Sequence, residues 1–351
     1  EAAKQNNIYI PHLCYLEGVH KFGSCRLCVV EVEGTKELQA SCMVPVKEGM
    51  VVHTNTPKVR KVRKNIYELL LSNHPKDCLS CETNANCELQ DMGVRLGVTK
   101  VRFAGKTSEG IIDSSPSIFR DTAKCILCRR CVTVCNATQD IGILNAQNRG
   151  FKTLVGPAMD LALSQVNCTY CGQCTVVCPV GAIKETDEIE NVWDAIGDKS
   201  KTVVVQLDPA VSAAIGEEFG FPAGTNLSGE LVSCLREMGF DNVFDTNFAM
   251  DLTIVEQGAE LLTRLKNFQA GEEAKLPMLT SCSPGWIKYA EHNYPEKLEY
   301  LSTCKSPHTM LGALAKSFYA EKTNVDPKEL YVVSIMPCTA KKFEISRPEM
   351  K

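Results

Sequence analysis

No stretch of this 351-residue chain approaches the ~18 consecutive apolar residues that a membrane-spanning helix needs. No export signal is read at its start. Neither sign of charge dominates: 38 Lys and Arg against 42 Asp and Glu leave a net charge of −4, which points to neither nucleic acid nor an anionic membrane surface as a partner. Histidine and tryptophan are scarce, at six and two residues, and both tryptophans, Trp193 and Trp286, read as packing aromatics. Hydrophobic and charged contents of 44% and 23% are those of an ordinary folded protein. The length exceeds one core and predicts about two to four domains. The chain opens on a helix-like stretch at Glu1 and stops at Lys351 just after a charged run, so it is read as part of a longer polypeptide.

Cysteine is the exception to this restraint. Sixteen of the nineteen precede residue 235, and fifteen of those fall into groups. Cys125, Cys128, Cys131 and Cys135 form C-x2-C-x2-C-x3-C, and Cys168, Cys171, Cys174 and Cys178 repeat it 43 residues later. Pro179 follows the second run where Asn136 follows the first. In such runs three cysteines on a tight loop face one cubane, and the fourth points away to ligate the cluster of the other run. The pattern predicts one [4Fe–4S] cluster on Cys125, Cys128, Cys131 and Cys178, and another on Cys168, Cys171, Cys174 and Cys135. The insertion between them, 136–167, has room for a helix or a strand pair. Paired zinc sites are the competing reading, against which stands the preference of structural zinc for separated knuckles. Clustered cysteine without export implies a reducing cytoplasm and argues against a disulfide framework.

Two further groups precede these runs. Cys14, Cys25, Cys28 and Cys42 flank an alternating stretch, Leu27–Glu33, that breaks at Gly34 and reads as a strand and turn. Four thiolates with one close pair suit a [2Fe–2S] cluster on a loop against a small sheet, with zinc again the alternative. From Lys58 a helix is expected, with Val62, Ile66, Leu69 and Leu70 inward and Arg60, Lys61, Arg63 and Lys64 solvated. It should end near Asn73 and deliver His74, which precedes Cys78, Cys81 and Cys87. A histidine in place of one thiolate makes a cluster less negative and raises its potential. His12, His20, His53, His292 and His308 lack such company and read as structural.

The composition changes near residue 199. Thr202–Leu207 reads as a buried strand, Gly229–Gly239 as a helix with Leu231, Val232, Leu235 and Met238 inward, and Tyr331–Met336 as a further strand. Cys234 falls on the apolar helix face and reads as core. Ser306 and Pro307 read as N-cap and first residue of a helix burying Met310, Leu311, Leu314 and Phe318. Alternating strands and helices argue for an α/β domain. Two phrases each place a cysteine beside a proline: Thr280-Ser-Cys-Ser-Pro-Gly-Trp286, and Met336-Pro-Cys-Thr-Ala-Lys-Lys-Phe-Glu344. Strand ends that feed loops are where α/β domains build sites. Cys304 has no evident role beyond packing.

The order of these groups, ending in TSC-x-PGW and MPC-x2-K-x2-E, resembles the catalytic subunit of [FeFe]-hydrogenases over essentially the whole chain. The first three segments are also similar to the largest iron–sulfur subunit of respiratory complex I. The resemblance implies an α+β multidomain fold: a β-grasp-like [2Fe–2S] domain over 1–55, a [4Fe–4S] segment with one histidine and three cysteine ligands over 56–110, a ferredoxin-like domain with two [4Fe–4S] clusters over 111–198, and an H-cluster domain over 199–351. It implies reversible hydrogen oxidation and proton reduction at a [4Fe–4S] cube bridged to a two-iron unit with CO, cyanide and an amine-bearing dithiolate. Cys338 would ligate the cube, Lys341 would bond a cyanide, and Met336, Pro209 and Ala210 would line the two-iron pocket. Cys282 would hand protons to the amine, with Ser302, Glu260 and Arg264 further along the path. Implied partners are flavin- and NAD-binding subunits, a small [2Fe–2S] subunit and ferredoxin, in an assembly of the electron-bifurcating type.

The family phrase has a second cysteine where this chain has Ser283, so a serine oxygen ligates, Cys282 takes over, or the cube is incomplete. The family also has a glutamate where this chain has Gln257, for which Glu256 or a water would substitute. These departures support a second reading, an electron relay or redox sensor without a diiron site. A zinc-rich interaction module is the third.

Overall fold

The alternation in Leu27–Glu33 becomes strand β1 (Val29–Val32), which pairs antiparallel with β2 (Gln39–Ala40) on one side and β3 (Val52–His53) on the other. Gly34 turns the chain out of β1 at a φ of +79°, a left-handed backbone that glycine adopts without steric cost. The computed structural model describes residues 1–107 and 110–350. Ser108 and Glu109, near the end of the second expected segment, and Lys351, the last residue of the fourth, lie outside the described residues. The chain divides into two compact units, Glu1–Cys168 with Gly172–Glu185, and Thr169–Cys171 with Thr186 onward.

In the first unit, Thr56 caps the helix Pro57–Ser72 by accepting the Val59 N–H, and Asn73 closes it just before His74. Val59 and Tyr67 are buried, and Ile66, Leu70 and Leu71 pack on the same side. Two expectations fail here. Leu69 is exposed, and Arg63, placed on the solvated basic face, is buried and donates to the Val29 carbonyl at 2.8 Å. Arg63 shares the buried face of the helix with Val59 and Tyr67, four residues to either side, and a β1 carbonyl supplies the partner a buried guanidinium needs. Farther on, β4 (Ile112–Ser114), β5 (Ile118–Asp121) and β8 (Ile183–Glu185) form an antiparallel sheet in the order β4-β5-β8. The 136–167 insertion holds a strand pair, β6 (Asn145–Gln147) with β7 (Leu154–Gly156). One core gathers cysteines from three segments: Cys14 and Cys25, Cys87, and Cys128, packed with Leu13 and Leu27 at 0% exposure. Each such leucine contributes about 1.5–3 kcal/mol by leaving water.

The second unit is built on a parallel sheet, β10 (Asn242–Asp245), β9 (Thr202–Leu207) and β11 (Leu330–Ile335), with β9 central. Val203, Val204 and Val205 are all buried, as a strand covered on both faces requires. This is the expected α/β arrangement, with β11 beginning and ending one residue earlier than predicted. The helix Ser228–Met238 packs Leu231, Val232 and Leu235, but Cys234 is exposed and so is Met238. Cys234 lies ~100° around the helix from Leu235, outside the packed stripe. Phe240, after the left-handed Gly239, fills the place expected for Met238.

Ser306 caps the helix Pro307–Leu314 as expected, but Phe318 is exposed. A π-turn over Ala315–Tyr319 adds a residue to that turn and brings Tyr319, not Phe318, against Phe244. Trp193 and Trp286 are both partly exposed. Among the described residues no helix is long and apolar enough to cross a membrane.

Candidate cysteine centres and the strand-end site

Loop backbone brings the first ferredoxin run together. Leu127 and Arg129 take left-handed φ values of 56° and 64°, and Tyr170 and Gly172 occupy the equivalent places of the second run at 54° and 74°. Non-glycine residues in this region cost about 1–3 kcal/mol unless the surroundings enforce them, so the repeat is one of conformation as well as spacing. Cys125, Cys128, Cys131 and Cys178 line one small cavity with Arg120, Ile126, Pro179 and Val180. Burial pushes Cys125 up to about 11 and Cys128 to about 12, and the neighbouring thiols add to it. Cys131 is driven well above its usual value by burial and then by Cys128, Cys125 and Cys178. Four neighbouring thiols, two of them buried and two half-buried, cannot all ionise beside one another without positive charge among them. The donor set therefore fits an iron–sulfur cluster, with the fourth ligand drawn from the second run. Cys135 and Cys168 are buried, and Cys174 adds its charge to Cys131.

The first group is equally interlocked. A thiol contact with Cys14, then the Leu13 and Leu27 amides, lower Cys25 to about 6, while the same thiol contact and then burial raise Cys14. Burial and then Cys28 push Cys42 up to about 12. In the second group, His74, Cys78, Cys81 and Cys87 line a single cavity of 580 Å3. Burial lowers the His74 pKa, and its buried Nδ1 has no hydrogen-bond partner. A neutral imidazole with a free ring nitrogen is the ligating form. Among the described residues no three Cys, His, Asp or Glu side chains close on a single metal-ion position; the first ferredoxin run with Cys178, and the His74 group, line cavities instead.

In the second unit, Pro209 and Ala210 follow β9, and Met336 and Cys338 follow β11. The Leu207↔Ile335 register and the Asp208 N–H to Ile335 carbonyl bond of 3.1 Å set these two strand ends side by side. The loop bearing Cys282 and Ser283 is held by a bridge between Leu279 and Leu301 and by the Ser281 hydroxyl on the Cys304 carbonyl. Cys282, Ser283 and Cys338 are exposed.

Lys341 joins the two phrases: its ammonium donates to the Cys282 carbonyl at 2.9 Å and to Glu344 at 3.0 Å. An ammonium has three N–H donors, so one is left for another acceptor. The sequence reading passed over Glu344, although its spacing of three from Lys341 on a helix was the available signal. Glu344 is 1% exposed and also accepts from Ser306 at 3.0 Å, with His308 at 3.4 Å. Burial alone would raise its pKa, but His308, Lys341 and Ser306 outweigh it and leave the carboxyl below the usual range.

Ser302, Glu260 and Arg264 are connected. The serine hydroxyl donates to Glu260 at 2.7 Å, and Arg264 donates to the other carboxylate oxygen at 2.6 Å. Burial works against the Glu260 charge; Ser302, Arg264 and the Thr303 amide outweigh it and hold its pKa down. Gln257 is one turn before Glu260 on the helix Asn247–Gln269, and its Nε2 is buried without a partner. Glu256 is exposed and turned ~100° from Gln257.

The family described as "Iron only hydrogenase large subunit, C-terminal domain" matches residues 201–351. A "2Fe-2S iron-sulfur cluster binding domain" matches 1–57, the "NADH-ubiquinone oxidoreductase-G iron-sulfur binding region" 63–102, and a "4Fe-4S dicluster domain" 124–182. The chain is 49% identical to the NADP-reducing hydrogenase subunit HndD of Solidesulfovibrio fructosivorans, over 99% of this chain and 61% of that protein. It is 36% identical to iron hydrogenase 1 of Clostridium pasteurianum, over 99% of this chain and 60% of that one. The chain thus spans about three-fifths of the length of these curated relatives. A solved NAD+-reducing [NiFe]-hydrogenase chain matches 53% of this chain and 79% of its own at 32% identity, with a TM-score of 0.50.

Proposed function

Because this chain belongs to the iron-only hydrogenase large-subunit family, with iron–sulfur domains preceding the hydrogenase domain, we propose that the whole protein catalyses reversible hydrogen oxidation. Its electrons pass along a [2Fe–2S] and three [4Fe–4S] clusters to NAD- and ferredoxin-linked partner subunits in the cytoplasm. The segments 1–55, 56–110, 111–198 and 199–351 carry these centres in order. Cys14, Cys25, Cys28 and Cys42 hold the first, and His74, Cys78, Cys81 and Cys87 the second. The two ferredoxin clusters exchange their fourth ligands, Cys135 and Cys178. The observation that carries the proposal is the presence in one chain of a four-thiol cavity in the first unit and, in the second, the Cys282–Lys341–Cys338 grouping at a parallel strand end.

The hydrogenase-domain residues fit one wall of an H-cluster site: a thiol, an ammonium with a spare donor, and small apolar residues. When bound, the two-iron group supplies a Lewis acid and a nearby base for heterolytic cleavage of hydrogen. Cys338 anchors the cube, Lys341 orients the diiron unit by a charge-assisted bond, and Pro209, Ala210 and Met336 exclude water beside it. Cys282 takes the proton, and Ser302, Glu260 and Arg264 carry it outward.

Ser283 and Gln257 favour a second reading, an electron relay or redox sensor without the diiron unit. Full-length protein matured with the diiron cofactor decides between them. Hydrogen uptake with verified cofactor insertion supports the enzyme, and silence under the same condition supports the relay.

A further inference from the structure

Arg130 lies within the first ferredoxin run, between Cys128 and Cys131, yet every hydrogen bond of its guanidinium goes to another cysteine segment. Its side chain is 6% exposed. Two of its nitrogens clasp Glu88, the residue after Cys87, at 2.6 and 2.9 Å, and one also donates to the carbonyl of Tyr15, the residue after Cys14, at 3.3 Å. Glu88 in turn gives its amide to the Pro179 carbonyl, next to Cys178. The third guanidinium nitrogen, Nε, is buried without a partner.

This cation is fully charged. Burial opposes its charge, but Glu88, Cys128 and Cys14 outweigh burial and hold its pKa above the usual value. The guanidinium bonds the carbonyl that follows Cys14 and is two residues from Cys128, and thiols of both groups, Cys14 and Cys25 with Cys128, share one apolar core.

We propose that Arg130 is a countercharge shared by the centre on Cys14, Cys25, Cys28 and Cys42 and the centre on Cys125, Cys128, Cys131 and Cys178, holding both reduction potentials up together. This rests on the cluster assignments of the preceding subsection. Reduction adds one negative charge to a cluster, and a fixed cation in a poorly polarisable core stabilises the reduced form. The bidentate fork also docks three segments at once, but charge and docking separate under substitution. Glu88 partly offsets the cation, so its removal acts with the opposite sign.

The test is an EPR-monitored redox titration of the full-length protein, with iron and sulfide measured alongside. Arg130→Gln is expected to move both midpoints to more negative potential, Arg130→Lys to leave both near wild type, and Glu88→Gln to move them to more positive potential. A shift in one centre only, or equal shifts in Arg130→Lys and Arg130→Gln, overturns the shared countercharge. Should Arg130→Gln not assemble its clusters, Glu88→Gln still decides, since unmoved midpoints there overturn it. Wild-type protein lacking iron and sulfide overturns the cluster assignments themselves, whereas full clusters with unmoved potentials overturn this inference alone.

Discussion

The Lys341 ammonium lies 3.0 Å from the carboxylate of Glu344, one helical turn away, and this buried contact aims the lysine at the loop of Cys282. The carboxylate has too little access to water to be there for solubility. Its partners, Lys341, Ser306 and His308, come from two separate stretches of chain, so it ties the MPC phrase to the helix that begins at Pro307.

Glu344→Gln should therefore destabilise the second unit by about 2 kcal/mol, the scale of hydrogen bonds to a charged group. The effect should depend on pH. The folded pKa of Glu344 lies below its ordinary value of 4.5. Its stabilisation is thus complete above about 4.5 and is lost as pH falls through the lower folded value. Denaturation midpoints of wild type and Glu344→Gln should differ most near neutrality and converge in acid. Parallel curves would show that the carboxylate is not held in its charged form.

The ligand exchange proposed for the two ferredoxin runs predicts which substitutions act alike. Cys178→Ala and Cys128→Ala, 50 residues apart, should remove the same EPR signal and about four irons per chain, while Cys135→Ala removes the other. Were each run self-contained, Cys178→Ala would instead behave like Cys174→Ala.

His74→Cys should keep its centre and shift the midpoint to more negative potential, because a fourth thiolate adds negative charge to the cluster. The free Nδ1 in the shared cavity is what motivates this. An unchanged midpoint, read by the same titration, would take His74 out of the ligand set.

Local signals were legible in the sequence and long-range ones were not. The Ser306–Pro307 cap, β9 and the Gly34 turn each depend on a few adjacent residues, and each stands where the sequence placed it. Arg63 and Arg130 look like surface cations, because the carbonyls and carboxylate that accept them come from segments far along the chain. Phe318 matched the helical period, but a π-turn shifts the phase by one residue, and nothing in the periodicity announces it. Glu344 closed a recognisable phrase, yet its burial depends on Ser306 and His308, which no spacing connects to it.

The proposed proton path offers the sharpest contrast between two neighbouring positions. Gln257, Glu260 and Arg264 lie three and four residues apart on one helix and so share a face. Glu260 is joined to Ser302 and Arg264, and these partners hold its pKa below the usual carboxylate range. Gln257 cannot titrate, and the amide it buries goes unanswered. Glu260→Gln should therefore lower hydrogen turnover about 10²-fold, the low end of what a positioned acid–base group contributes. Gln257→Glu should raise it, since a carboxylate there adds a proton carrier one turn from Glu260. Both are read as hydrogen oxidation with an artificial acceptor, with cofactor occupancy checked by infrared bands of its CO and cyanide. If Glu260→Gln keeps full turnover at full occupancy, protons leave by another route and the Ser302–Glu260–Arg264 chain is structural. If Gln257→Glu alone is silent, a water already serves at that position, and the chain beyond it stands.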